Sequence, residues 1–431
     1  MILYYLLVLS LPLISQRFFA MRIGGITGVK YLGVLCLLYA VFYMATTSRV
    51  PRFFRTGQAR AFLLFYMLVT VSYFTIGVRG SAFDSIWSIY TSHVYFFITT
   101  VILVDSPRRL RMTLLAAVGS ILWASLYTLR EWQLGAAKYG VAYRPGYVAG
   151  DPNFFTASAV LCVPLGFYLM LNGQKRLERW FCLGALLTTL GGIMVAASRG
   201  GFLGLVAASV ILVWKSAHRF KNIAIVSGLL ACFLLFSPSS PLERLLDPSR
   251  SDIEAQQIRL VVWRAGLRMI EEHPLFGVGV GNFERVVVEY EQDANIKIMA
   301  HNTYIELAAE LGIPGLLIFL TMVGFTFRSL NRIRSLAAKQ ENQLVGLAAA
   351  GIAAGIVGFC VACFFVSAWF LKLFWLMIFL SACLPNILEN KEPVSTLATT
   401  GSEAQGFLRI PAADSALGGF VRERADWNKA N

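Results

Sequence analysis

Residues 344–364 read LVGLAAAGIAAGIVGFCVACF, twenty-one positions without a charged side chain. A helix rises about 1.5 Å per residue, so this run covers roughly 30 Å, the thickness of a bilayer's hydrocarbon core. Working outward from it, apolar stretches recur at about 2–15, 29–46, 60–78, 84–104, 112–129, 154–172, 180–197, 200–214, 222–237, 313–328 and 367–386, the first and eighth rather short. The chain as a whole is 57% apolar and 14% charged, with a mean hydropathy of +0.64, the balance of a protein dissolved mostly in lipid. The sequence therefore predicts an all-α polytopic membrane protein of about 12 transmembrane helices. A large extracytoplasmic, partly helical loop is expected between spans 9 and 10.

The basic residues set the orientation. The net charge of +14 is carried in short clusters between apolar runs, which excludes nucleic acid as the natural partner and points to membrane topology. With a cytoplasmic N-terminus, the inside connections hold Arg49, Arg52, Arg55 and Arg60, then Arg108, Arg109 and Arg111, then Lys175, Arg176 and Arg179. Lys215, Arg219 and Lys221 follow, and then Arg328, Arg332, Arg334 and Lys339. The two longest outside connections, 130–153 and 238–302, mix both signs and are where extended chemistry belongs. The implied organisation is 1–237 for helices one to nine, 238–312 for the extracytoplasmic loop and 313–388 for helices ten to twelve. Residues 389–431 are polar and small, and read as a weakly ordered cytoplasmic tail. The first run lacks a basic leader and reads as a span, and no internal repeat of the transporter kind is visible.

All seven cysteines lie within apolar runs, so no disulfide framework or thiolate metal site is implied, and the Cys360/Cys363 pair reads as helix packing. His93, among Ser88, Thr91 and Ser92 in the fourth span, reads as an interhelical hydrogen-bonding residue.

Chemistry concentrates in the long loop. SPSSP at 237–241 and Asp247-Pro248 are turn signals. Ser251 and Glu254 have capping-box spacing, and Ile258, Val262, Ala265 and Met269 recur at helical intervals until His273-Pro274, which predicts an amphipathic helix over about 252–272. On it Arg259 and Trp263 are one turn apart, while Arg264 and Arg268 occupy another face. On spacing alone these arginines could be a solvated helix face. FGVGVGNF (276–283) has glycines for a tight turn or close backbone approach, without the strand context of a dinucleotide fingerprint. HNTYIELAAELGIPG (301–315) then places His301 at the start of a short helix near the membrane surface, with the GIPG turn before an apolar span. Glu306 and Glu310 either orient the cations or form a wet face.

IRLVVWRAGLRMIEEHPLFGVGVGNF (258–283) followed by HNTYIELAAELGIPG resembles the signature region of the O-antigen ligase and O-antigen polymerase superfamily. The resemblance rests on Arg259, Trp263, His273-Pro274, Gly277, Gly279, His301-Asn302, Gly312 and Gly315, which fit in order. SRGGFL (198–203) supplies a family-like Arg-x-x-x-Leu through Arg199 and Leu203, and GDPNFFTASA (150–159) resembles the start of the sixth span in such proteins. Motif similarity covers roughly 150–320.

The resemblance implies a donor glycan on undecaprenyl pyrophosphate at the outer face of a bacterial inner membrane, with transfer to an acceptor hydroxyl such as lipid A core. Guanidinium forks suit a departing pyrophosphate, which makes Arg199 and Arg259 its ligands, with Arg264 the substitute if the loop helix is rotated. His301 is then the general base, since imidazole titrates near neutrality. Direct attack inverts the anomeric carbon, and the arginines stand where other transferases use a divalent ion, so neither metal nor cofactor is expected. Arg144, Asp151, Trp263, Asn302 and Lys372 are supporting candidates; Arg144 and Asp151 could equally be solvated, and Lys372 could snorkel. The acceptor stays open between lipid A core, a growing polysaccharide (an O-antigen or exopolysaccharide polymerase) and protein hydroxyls (an O-oligosaccharyltransferase). A polysaccharide transporter is the rival from another class. It predicts charges inside the bundle, whereas the notable ones here gather at the external boundary.

Overall fold

A computed structural model of the chain describes residues 1–13, 22–23, 26–47, 54–77, 83–140, 143–146, 151–214, 223, 227–228, 250–291 and 298–389. All but three residues of the expected ninth span, the turn signals at 237–248 and the tail beyond Glu389 lie outside them, as does the side chain of Ser251.

The described elements are helices, apart from one antiparallel pair of two-residue strands, Arg22–Ile23 and Ile26–Thr27. In chain order the helices are α1 (Ile2–Ser10), α2 (Gly28–Thr47), α3 (Gly57–Thr75), α4 (Phe83–Leu103) and α5 (Pro107–Tyr139). Then come α6 (Pro152–Asn172), α7 (Arg176–Ala196), α8 (Arg199–Trp214), α9 (Arg250–Glu272) and α10 (Phe283–Tyr290). The last three are α11 (Thr303–Lys339), α12 (Gln343–Ala362) and α13 (Lys372–Glu389).

Among the described residues seven helices are long and apolar enough to cross a membrane: α2, α5, α6, α7, α11, α12 and α13. This is a polytopic helical membrane protein. Helices stand at eleven of the twelve expected spans, but α1 has nine residues, about 13 Å of rise, and does not cross a bilayer by itself. α6, α12 and α13 form the centre of the bundle, most of each being buried, whereas α2 is mostly exposed. α12 packs on α6 and α8, α5 on α7, and α11 on α3. The α8–α12 crossing is close because both helices offer glycine there: a Cβ on Gly204 would come within 2.5 Å of the Gly358 carbonyl oxygen.

Polar bonds tie the bundle at the end carrying the basic clusters. Arg111 makes a forked ion pair with Glu178 at 2.7 Å, and Arg55 bonds Glu389 and Asn386, joining α5 to α7 and the start of α3 to the end of α13. In the interior, the Phe370 carbonyl accepts from His93 Nε2 at 3.0 Å, which leaves Nδ1 to accept from the Tyr66 hydroxyl at 2.7 Å. His93 thus bridges α3, α4 and the turn before α13, the interhelical role expected of it.

A second small core stands beside the bundle, built from Val262, Ala265 and Met269 of α9, Phe283, Val286 and Val287 of α10, and Ala300 and Ala309. α9 begins two residues before the expected start and stops before His273-Pro274 as expected. Ile258 departs from the expected apolar face. It is exposed, because among the described residues the partners of α9 are α10 and the start of α11, which meet the helix from Val261 onward.

Candidate functional site: a basic cluster around His301

α11 is two helices in line. Gly312 interrupts them with φ 73° and ψ 175°, so the GIPG turn separates Thr303–Leu311 from the apolar span as the sequence predicted. The glycine turn wraps this break. The amides of Val278 and Gly279 donate to the carbonyls of Ala309 and Glu310 at 2.8 and 3.1 Å, and the Ile313 amide donates to Pro274 O at 2.8 Å. These bonds satisfy carbonyls that a helix end leaves open. Gly277 has φ 69°, and a Cβ there would lie 2.3 Å from the backbone carbon of Glu310, so the close approach needs glycine.

Glu306 and Glu310 do not form a wet face. Both are buried, at 5% and 4% exposure, and both hold backbone: Glu310 accepts from the Phe283 amide at 3.1 Å, capping α10 from outside, and Glu306 accepts from the Ala300 amide at 3.3 Å. Sequence spacing missed this because the donors lie outside the helix that carries the carboxylates. Thr303 was missed as well. Its hydroxyl donates to Val366 O at 2.8 Å and accepts from the Ala368 amide at 2.9 Å, and its own amide bonds Cys363 O at 2.9 Å. Asn302 caps α11, its Oδ1 accepting from the amides of Tyr304 and Ile305 at 2.9 and 3.1 Å.

His301 sits between these anchors in the left-handed region, φ 49°. It is part-buried, and among the described residues no hydrogen-bond partner meets its Nδ1. Arg259, one turn before Trp263 on the inner side of α9, is also part-buried. Arg199 is the first residue of α8, just after the left-handed Ala197 that ends α7. Asp151 is the N-cap of α6, accepting from the Asn153 amide at 2.7 Å.

Arg259 lies within electrostatic reach of Arg199, Asp151 and His301, and Asp151 lies within reach of His301. Burial lowers the pKa of the Arg259 guanidinium, Arg199 adds to that shift and Asp151 opposes it. Burial likewise pulls the His301 imidazole below the ordinary value of 6.5, Arg259 reinforces the shift, and Asp151 works against it. Positions 151, 199, 259 and 301 are thus gathered at one end of the bundle. Trp263 bonds the Ala300 carbonyl through Nε1 at 2.8 Å and joins this group through the backbone.

Arg264 is exposed on the flank of α9, about 140° round the helix from Arg259 at 100° per residue. Arg144 donates from Nε to Ala196 O at 3.3 Å, closing the end of α7 beside the turn that leads to Arg199. Lys372 opens α13.

Fold and site together define a multi-pass helical membrane protein with a part-buried cluster of arginine, aspartate and histidine where its helices end. Sequence comparison points the same way. Residues 184–320 match the O-antigen ligase family, and over 77% of its length the chain is 27% identical to the O-antigen ligase of Pseudomonas aeruginosa, 82% of which is covered. Both findings support the O-antigen ligase family, the resemblance that the motifs carry. The matched region contains Arg199, Arg259 and His301, together with α9, the glycine turn and the start of α11.

Proposed function

We propose that this protein is a glycosyltransferase that moves a glycan from undecaprenyl pyrophosphate to a hydroxyl of the lipid A core at the periplasmic face of the bacterial inner membrane. The observation that carries the reading is the gathering of Arg199, Arg259, Asp151 and His301 into one electrostatic group at one end of the bundle. Two guanidinium groups kept close together against their mutual repulsion suit a dianionic guest. Pyrophosphate is such a guest. An imidazole held neutral beside them is in the form a general base needs.

In this mechanism Arg199 and Arg259 hold the pyrophosphate. The acceptor oxygen attacks the anomeric carbon as its proton passes to His301, and the carbon–oxygen bond to phosphate breaks. The electron pair leaves with undecaprenyl pyrophosphate, whose charge the arginines meet, and the configuration inverts. Asp151 steadies the imidazolium that forms. The arginines supply the positive charge that a divalent ion gives in other transferases, so we assign no metal to the step.

The basic clusters at the opposite end of the bundle support cytoplasmic termini and a periplasmic site. The name of the Pseudomonas aeruginosa relative supports the ligase reading over the polymerase one. In proteoliposomes supplied with an undecaprenyl-pyrophosphate oligosaccharide and uncapped lipopolysaccharide core, His301→Ala is expected to abolish transfer while donor still binds. Arg259→Ala is expected to weaken donor binding. Full activity in both variants overturns the reading; oligosaccharide lengthening without core capping moves the assignment to a polymerase.

A further inference from the structure

The residue that precedes His301 is held at both its backbone groups. Trp263 Nε1 donates to the Ala300 carbonyl at 2.8 Å, and the Ala300 amide donates to Glu306 at 3.3 Å. On the other side of His301, Asn302 caps α11 and the Thr303 amide is fixed to Cys363 O. Between these points the histidine keeps a left-handed φ of 49°, a conformation that is unfavourable for an L-residue and persists where neighbouring bonds impose it.

We infer that Trp263 and Glu306 are positioning residues, which by holding the carbonyl and the amide of Ala300 fix the distance between the His301 imidazole and the Arg259 guanidinium. Trp263 lies four residues after Arg259 on the same helix, so the indole that grips the base's backbone is rigidly joined to the side chain assigned to the pyrophosphate. Glu306 closes the grip from α11, the helix that follows the base. Leaving group and proton acceptor are thereby set by one hydrogen-bonded unit, not by two independent elements. This rests on the role proposed for His301, and it extends that role to two residues that touch no substrate.

The test uses the full-length protein in proteoliposomes, with the same lipid-linked oligosaccharide and core acceptor. Trp263→Phe keeps an aromatic ring and removes the indole N–H. It is expected to lower kcat by about ten- to a hundred-fold, the penalty for a catalytic group misplaced by around an ångström, with donor KM within about two-fold of the parent. The acid limb of its kcat/KM profile is expected to move upward, towards that of an ordinary histidine, as the imidazole parts from Arg259. Glu306→Leu is expected to behave alike, and Glu306→Gln, which keeps an oxygen for the Ala300 amide, to recover much of the loss. Parental kcat and an unmoved acid limb in Trp263→Phe overturn the inference. A fall in activity that only tracks a fall in Tm, with the limb unmoved, overturns it too. In either case inactivity of His301→Ala leaves the underlying reading standing, whereas an active His301→Ala sinks that reading first.

Discussion

At the scale of residues, the electrostatics of His301 have a sign that can be measured. A general base works in its neutral form, and burial together with Arg259 disfavours the imidazolium, so the acid limb of the rate profile is expected below pH 6.5. Asp151 is the opposing charge. Asp151→Asn removes the anion that favours imidazolium, and should lower the limb further as well as slowing the step in which the proton is taken up. A limb that rises in this variant contradicts the placement of Asp151 beside the base. Arg199, Arg259 and His301 could be singled out in the sequence as candidates because each sits in a spaced motif whose chemistry suits a pyrophosphate. Glu306 and Glu310 could not. One-turn spacing is the same for a solvated face and a buried one, and what distinguishes them is the amides of Ala300 and Phe283, which chain folding alone brings near.

At the scale of elements, the glycine turn and the broken α11 form one device. Gly312 has φ 73°, and a Cβ there would lie 2.5 Å from the backbone of Leu275. Gly312→Ala must therefore bear both left-handed strain and a backbone clash, about 2 kcal/mol or more. It is expected to lower the Tm of the purified protein in detergent and to open the 273–283 turn to protease, with Gly324→Ala, where a Cβ meets nothing within 4 Å, as the neutral control. Equal Tm values for the two variants refute this. The turn was legible from its three glycines, and so was the end of α9 at His273-Pro274. The inner face of α9 was legible only in part. Periodicity gave Val262, Ala265 and Met269, but it extended the stripe to Ile258, where no described element arrives to cover it.

At the scale of the whole molecule, the alternation of apolar runs and basic clusters gave the helices and their order. It could not give the number that cross a membrane, because length and burial vary from the nine residues of α1 to the 33 of α5 and the 37 of α11. α5, at about 50 Å of rise, is longer than a bilayer core and carries its far end beyond it. That end and the far end of α11 fall on opposite faces if the positive-inside reading holds. Single cysteines replacing Tyr139 and Lys339, in a chain whose own cysteines have been changed to alanine, test it. A membrane-impermeant thiol reagent applied to intact spheroplasts should label position 139 and reach 339 only after permeabilisation. The reverse pattern would invert the topology and put the site in the cytoplasm.

The backbone that carries His301 also depends on the turn after α12, since Thr303 is bonded to Cys363, Val366 and Ala368. Those contacts come from a segment 60 or more residues downstream, outside the region that matches the family. A chain that stops short of that turn still contains every residue assigned to the donor and to the proton. What it has lost is the seat of its base, so a late nonsense mutation in this gene should silence transfer as fully as the loss of the histidine itself.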